Sequence, residues 1–280
     1  DHMIKISKKD TIAIFAYNRP SHLRRVLISL ENYKIPKAYI FLDGPRNKKD
    51  KILQKEIIFQ IKYNPYIDLK LIRSSKNKGL AKSIMLGINY LSKKFENIII
   101  LEDDCIPRKE FFVFINKVKS SKYFKKNHNP ICGYQFPKLH TKENKLSSVI
   151  LNYFNPWGWC VSANLWSKYI MYSKKKSPKT NDELIKKISK ICLKKESKSI
   201  WSKKFIEFNL IFNKKIIFPN KSLIKNIGFD GSGVNSSITN KFNTVYSKLS
   251  TKNLKMNFKQ NNKLQKKQKK ILMESVKYFF

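Results

Sequence analysis

The sequence predicts an α/β domain with a mostly parallel, Rossmann-like central sheet and helices on both of its faces. Three observations carry that expectation. Over the first hundred residues, short apolar runs alternate with stretches of helical spacing, which is the pattern of consecutive βαβ units. Each apolar run then gives way to polar or charged residues, as strands do where they leave a sheet at its ligand-binding rim. Finally, a hydrophobic content of 41% and an aromatic content of 13% in 280 residues can fill a sizeable core, which excludes wholesale disorder.

The elements follow in order. Residues 11–16 read as the first strand. Pro20 opens a helix whose Leu23, Val26, Leu27 and Leu30 share one face. Residues 38–42 form a second strand ending at the turn signal Asp43-Gly44-Pro45. A helix over 48–61 leads to a third strand over 67–72 and then to Lys76-Asn77-Lys78-Gly79. The next helix buries Leu80, Ile84, Ile88 and Leu91, and Ile98-Ile99-Ile100-Leu101 is a buried fourth strand. Beyond residue 105 the pattern loosens. Residues 111–118, 162–172, 182–193 and 200–212 read as helices, and 131–136, 148–154 and 216–218 as strands. Asn155-Pro156-Trp157-Gly158-Trp159 is an aromatic turn, and residues 226–233 form a glycine-rich loop. From Lys241 onward the chain is strongly basic, with Glu274 its sole acid, and Leu264, Ile271, Leu272, Val276 and Phe279 can form one helix face. The expected organisation is therefore one domain over 3–240 and a basic extension over 241–280. Asp1 and His2 precede Met3 and are set aside as extraneous.

The chemistry concentrates where the fourth strand ends. Glu102-Asp103-Asp104 places three acids in a row in a chain of formal net charge +40. Stacked acids repel one another unless a cation sits among them, and hard divalent cations prefer carboxylates. A metal held by one or two carboxylates completes its shell with water and substrate phosphates. The competing reading makes the acids a device at the start of a helix opened by Pro107, a task that needs one acid and not three. Tyr17, Asn18, Arg19, Asp43, Arg73 and Asn77 fall on the same predicted rim, although Asp43-Gly44-Pro45 and Asn77-Lys78-Gly79 also read as plain turns.

Other classes lose ground. No glycine-rich dinucleotide or Walker-type loop follows the first strand. Cys105, Cys132, Cys160 and Cys192 are too scattered for a zinc site or a disulfide framework and suit a reducing cytosol. The basic charge permits nucleic acid, an anionic membrane or acidic small molecules as partners, but also a mere compositional bias. Lys far outnumbers Arg, which makes nucleic acid the weakest of these. No stretch reaches the length of a membrane span and no signal peptide is visible, so the expected location is cytoplasmic, with peripheral contact at the inner membrane face as an option. That contact would use the basic tail and its apolar helix face. His22, His128 and His140 lack ligand spacing and read as surface residues.

The ordered set Ala16-Tyr17-Asn18-Arg19-Pro20, Asp43-Gly44, Asn77-Lys78-Gly79-Leu80, Leu101-Glu102-Asp103-Asp104, Trp157-Gly158-Trp159 and Asn226-Ile227-Gly228 resembles the GT-A-fold glycosyltransferases. The likeness is to bacterial family-2-like sugar transferases related to N-acetylglucosaminyltransferase I, and it spans roughly residues 11–235. It implies a nucleotide-sugar donor, a UDP-sugar first, and Mn²⁺ or Mg²⁺. Tyr17, Asn18 and Arg19 would lie around base and ribose, with Asp43 hydrogen-bonding the base. Arg73, Asn77 and Gly79 would border ribose and diphosphate. Asp104 would bind the metal, with Asp103 near the donor sugar. The family's base lies in a late Trp-Asp-Asp-type segment. Trp201-Ser202-Lys203-Lys204 has no acid there, which leaves Asp230, preferred, and Glu207. Trp157, Gly158 and Trp159 suit either a sugar-stacking wall or core aromatics. The implied acceptor is a bacterial surface glycan, lipid-linked or free, with inversion favoured and retention open. A sugar-nucleotide-forming nucleotidyltransferase and a non-catalytic nucleic-acid-binding module remain the other readings.

Overall fold

The computed structural model describes residues 4–175, 181–187, 201–232, 238–244 and 249–275. Its first half is the predicted alternation: β1 (Asp10–Ala16), α1 (Pro20–Asn32), β2 (Lys37–Leu42), α2 (Lys48–Lys62), β3 (Asp68–Arg73), α3 (Leu80–Leu91) and β4 (Asn97–Glu102). These four strands run parallel in the order β4-β1-β2-β3. Their register aligns Ala16 with Leu42, Leu42 with Arg73 and Phe15 with Glu102, so all four carboxyl ends meet on one rim. β1 and Ile98 to Leu101 of β4 are buried on both faces, which explains their unbroken apolar runs.

The second half widens the sheet to nine strands among the described residues, in the order β11-β7-β9-β6-β8-β4-β1-β2-β3. β6 (Ile131–Cys132), β7 (Lys145–Leu151), β8 (Trp159–Ser162), β9 (Ile216–Pro219) and β11 (Ser250–Lys255) supply it. β8 lies antiparallel to β4, so its first residues start at the acidic rim. A separate two-stranded ribbon pairs β5 (Cys105–Pro107) with β10 (Ile224–Asn226). The strand expected over 131–136 is only two residues long, and Gly133 just past it donates to Gly158 O at 2.7 Å. The helix expected over 182–193 begins at residue 183, and its residues from 188 lie outside the described ones, as do Cys192 and 233–237 of the glycine-rich loop.

Described residues past 240, expected as a basic extension, pack on the main sheet. β11 extends the main sheet beside β7. The helix Asn262–Ser275 buries Gln268, Ile271 and Leu272, and Gln268 bonds both the N–H and the C=O of Tyr153. The apolar face expected to touch a membrane is thus spent on the sheet, as far as it is described. Val276 and Phe279 lie outside the described residues.

Candidate active site

The turn between β4 and β5 carries Asp103 and Asp104, and it is no helix cap. The following helix, α4 (Lys109–Ser120), starts five residues later with Arg108 at its N-cap and no side-chain cap bond. The Asp103 N–H bonds Phe15 O at 3.0 Å, and its Oδ2 accepts from the Tyr17 N–H at 3.3 Å. Its Oδ1 accepts from Arg19, whose Nη2 also stands 3.0 Å from Asp104 Oδ2. One guanidinium therefore bridges both acids. Burial works against its charge, but Asp104 and Asp103 more than offset that and raise the Arg19 pKa. Glu102 is pushed up to about 8, by loss of water first and by the neighbouring Asp104 next.

The chain returns over these acids from β10. Asn226 pairs with Cys105, and the Ile227 N–H donates to Asp104 O at 2.9 Å. Gly228 then passes so close that a Cβ there would sit 2.1 Å from Asp104 Oδ2 and 3.2 Å from an Arg19 nitrogen. Any larger residue would displace the Asp104 carboxylate. Two residues on, Asp230 accepts from Ser232 N and Oγ at 2.9 and 2.6 Å. His22 Nε2 lies 3.0 Å from Asp230 Oδ2, without hydrogen-bond alignment. Burial pushes the Asp230 carboxyl up, but the bonds from Ser232 and the field of His22 bring it below its ordinary value. Arg19, His22, Arg24, Gln60, Asp230 and Ser232 line a cleft of about 570 Å³.

A second cluster anchors the loop after β1. The Tyr17 hydroxyl and Asn18 Nδ2 both donate to Asp50 of α2, Asn18 at 2.7 Å. Arg46 Nε donates to the Tyr17 hydroxyl at 2.7 Å, and its guanidinium lies 4.9 Å from the ring centre. Loss of water raises the Asp50 carboxyl, yet bonds from Tyr17, Asn18 and Arg46 hold it at about 2. Gln54, one turn on, donates to Tyr17 O and Asp43 O.

Arg19 sits on the acids and not in the Tyr17–Asn18 cluster. The Asp43 carboxylate already accepts from the N–H groups of Gly44, Lys78 and Gly79, and Asn77 Nδ2 clasps Gly44 O at 2.8 Å. Asp43 and Asn77 therefore shape the rim loop, while Arg73 is exposed at the end of β3 and Gly79 opens α3 with φ +80°. Trp159 is 0% exposed, stacked on Trp201 and edged by Phe154, which makes it core. Trp157 is enclosed by Tyr134, Phe229 and Phe242, so it braces the Gly228 loop. Gly158, at φ +67°, leaves no space for a Cβ against Ile224. Glu207 is 3% exposed, facing Lys204 at 3.5 Å and close to Tyr169 and Tyr172. His22, expected at the surface, is buried.

Asp103 and Asp104 offer carboxylate oxygens, the donors a hard divalent metal prefers. Among the described residues no three potential ligands gather, so Asp104, with Asp103 beside it, would leave most of a cation's shell to water and phosphate. The guanidinium bridging the two acids neutralises them, and a metal on Asp104 would share that role with it.

Residues 11–118 match the family model described as Glycosyl transferase family 2, the stretch from β1 to α4 that carries the rim and the acids. No curated protein matches the chain. Among solved structures, similarity extends to the mannosyltransferase PcManGT from Pyrobaculum calidifontis in complex with GDP-Man and Mn²⁺, at 10% identity and TM-score 0.44, over 73% of this chain and 69% of that one. It extends also to a Bacillus anthracis protein assigned as a glucose-1-phosphate thymidylyltransferase, at 11% identity and TM-score 0.37, over 66% and 83%.

Proposed function

We propose that this chain, a glycosyltransferase by its family 2 segment, moves a sugar from a nucleotide diphosphate donor to a glycan hydroxyl at the β4 rim. The observation that carries this reading is the pair Asp103 and Asp104, held at a parallel-sheet rim around a cation and next to a cleft. A divalent metal, Mn²⁺ or Mg²⁺, held by Asp104, would neutralise charge growing on the departing diphosphate. Arg19 is placed to add a second positive charge to that diphosphate. The rim from Tyr17 and Asn18 to Arg73 and Gly79 takes the nucleoside, a uridine first, and Asp50 and Asp43 fix its loops from behind.

Asp230 is the acid best placed to accept the acceptor's proton. Its carboxyl is half exposed in the cleft wall and, held below its ordinary value, is ionised at neutral pH. With one such base, direct displacement and inversion follow. The acceptor is a surface glycan of a bacterial kind, free or lipid-linked, and the enzyme works beside a membrane. No helix among the described residues is long and apolar enough to cross one.

The test is a thermal-shift series with UDP, GDP and their sugars, with and without Mn²⁺, followed by detection of released nucleoside diphosphate. A donor should raise Tm only with metal present. Asp104→Asn should remove that dependence and lower turnover by about a hundredfold or more. If no nucleotide shifts Tm with Mn²⁺, the assignment fails.

A further inference from the structure

α2 buries one face through Asp50, Gln54, Ile57 and Ile61. Its opposite face is not the polar surface such a helix ordinarily shows. Ile52, Phe59 and Tyr63 share one solvent-facing stripe, and Tyr66 continues it just past the helix end, at 60%, 64%, 60% and 71% exposure. The rings of Phe59 and Tyr63 lie 4.7 Å apart. Single exposed apolar side chains are ordinary, but Phe59, Tyr63 and Tyr66 follow one another at helical spacing, with Ile52 two turns before them, and such a cluster marks an interaction surface. Lys48, Lys51, Lys55 and Lys62 are all exposed along the same helix, and Lys62 Nζ reaches over the Tyr63 ring at 5.1 Å.

We propose that this α2 ridge docks on an anionic lipid surface, with Phe59, Tyr63 and Tyr66 entering the interface and the lysines meeting headgroup charge. Aromatic rings beside lysines on one helix face suit a bilayer boundary, where the rings bury and the long stems keep their charge at the headgroups. A second copy of this chain fits less well, because it would oppose two lysine rows in a protein of net charge +40. The placement has a consequence that rests on the proposed glycosyltransferase reading. Leu53, Glu56 and Gln60, one step around α2 from the ridge, line the cleft that holds Arg19 and Asp230. A docked ridge sets that cleft beside the headgroups, where a lipid-linked acceptor is presented.

The experiment is vesicle co-sedimentation of the full chain, without metal or nucleotide. Vesicles are phosphatidylcholine alone or phosphatidylcholine with phosphatidylglycerol. Wild type should partition onto the anionic vesicles and weaken as salt rises. Phe59→Ser with Tyr63→Ser, both at exposed positions, should lower partitioning at least about tenfold with unchanged Tm. Lys51→Glu with Lys55→Glu should weaken the preference for anionic over neutral vesicles, and an unchanged preference would show that the lysines of α2 do not meet the headgroups. Binding that survives the double Ser variant overturns the proposal. So does a lipid-free dimer that the same variant dissolves. Since no nucleotide is present, failure here leaves the donor site untouched, and failure of nucleotide binding leaves the vesicle result standing.

Discussion

Arg19 sets the electrostatics of the rim: its guanidinium on Asp103 and Asp104 lets carboxylates sit at the end of a buried strand without unanswered repulsion. Asp50 does similar work for the neighbouring loop, and its effect is measurable. Its carboxyl is held at about 2 against an ordinary 3.8, so the folded state binds its proton less readily than the unfolded chain does. The resulting stability is complete above about pH 4 and disappears as pH falls through about 2. Urea unfolding of wild type and Asp50→Asn should therefore differ by a constant amount from neutral pH down to about 4, and the gap should close towards pH 2. A gap that stays open at pH 2 would show that charge on Asp50 is not its source. Gly228 gives a second residue-scale outcome. Gly228→Ala drives a methyl into Asp104 Oδ2, so it should remove the Mn²⁺-dependent Tm shift while the metal-free Tm moves by only a few degrees. The acidic triplet was legible in sequence because three adjacent acids after an apolar strand have few structural uses. Asp50 and His22 were not, since a lone acid in a lysine-rich helix and a lone histidine have many. The available hint was spacing: Asp50, Gln54, Ile57 and Ile61 recur at helical intervals and place Asp50 on the buried face.

At the scale of elements, the strands and helices of the first half were readable because each carries its own period and its own stop signal. β5, β10 and β11 were not, because each is a short segment whose pairing partner lies a hundred residues away or more. The aromatic turn stayed ambiguous for a related reason: nothing local tells a sugar platform from the Trp159–Trp201 stack that the fold assembles. Packing of α3 shows how tightly such distant contacts are set. The helix meets the sheet at Gly87, where an added Cβ would lie 2.6 Å from the Phe15 ring and 3.1 Å from Phe41. Those rings are stacked at 5.0 Å between centroids and cannot both yield. Gly87→Val should therefore destabilise the protein by about 1–3 kcal/mol despite the better helix propensity of valine. Chemical denaturation measures it, and an unchanged midpoint would mean that α3 rides clear of the rings.

For the whole molecule, the basic stretch after residue 240 joins the site to the core. Phe242 packs against Trp157 and Phe229, with ring centroids 5.6 and 4.9 Å away, and its carbonyl accepts from the Tyr134 hydroxyl at 2.9 Å. Phe229 belongs to the loop that carries Gly228 over Asp104, so the order of the candidate metal site depends on residues from the far end of the chain. Further on, Ser148 exchanges hydrogen bonds with Asn257, and Phe258 stacks on Tyr123 at 4.4 Å. Charge composition made this segment read as an appendage, because lysines dominate a count while a few buried apolar side chains decide the packing. Ending the chain at residue 240 should consequently leave no stable smaller domain. It strips β7 of its β11 neighbour and uncovers the surface under Ile271 and Leu272. The expected product is insoluble or unfolds without a cooperative transition. Phe242→Ala separates the local effect from the global one. The full-length variant should lose about 3–5 kcal/mol, as buried aromatics do, and its remaining folded fraction should respond more weakly to Mn²⁺ and nucleotide. A truncated protein with wild-type Tm and an intact metal-dependent shift would instead make residues 241–280 a true extension.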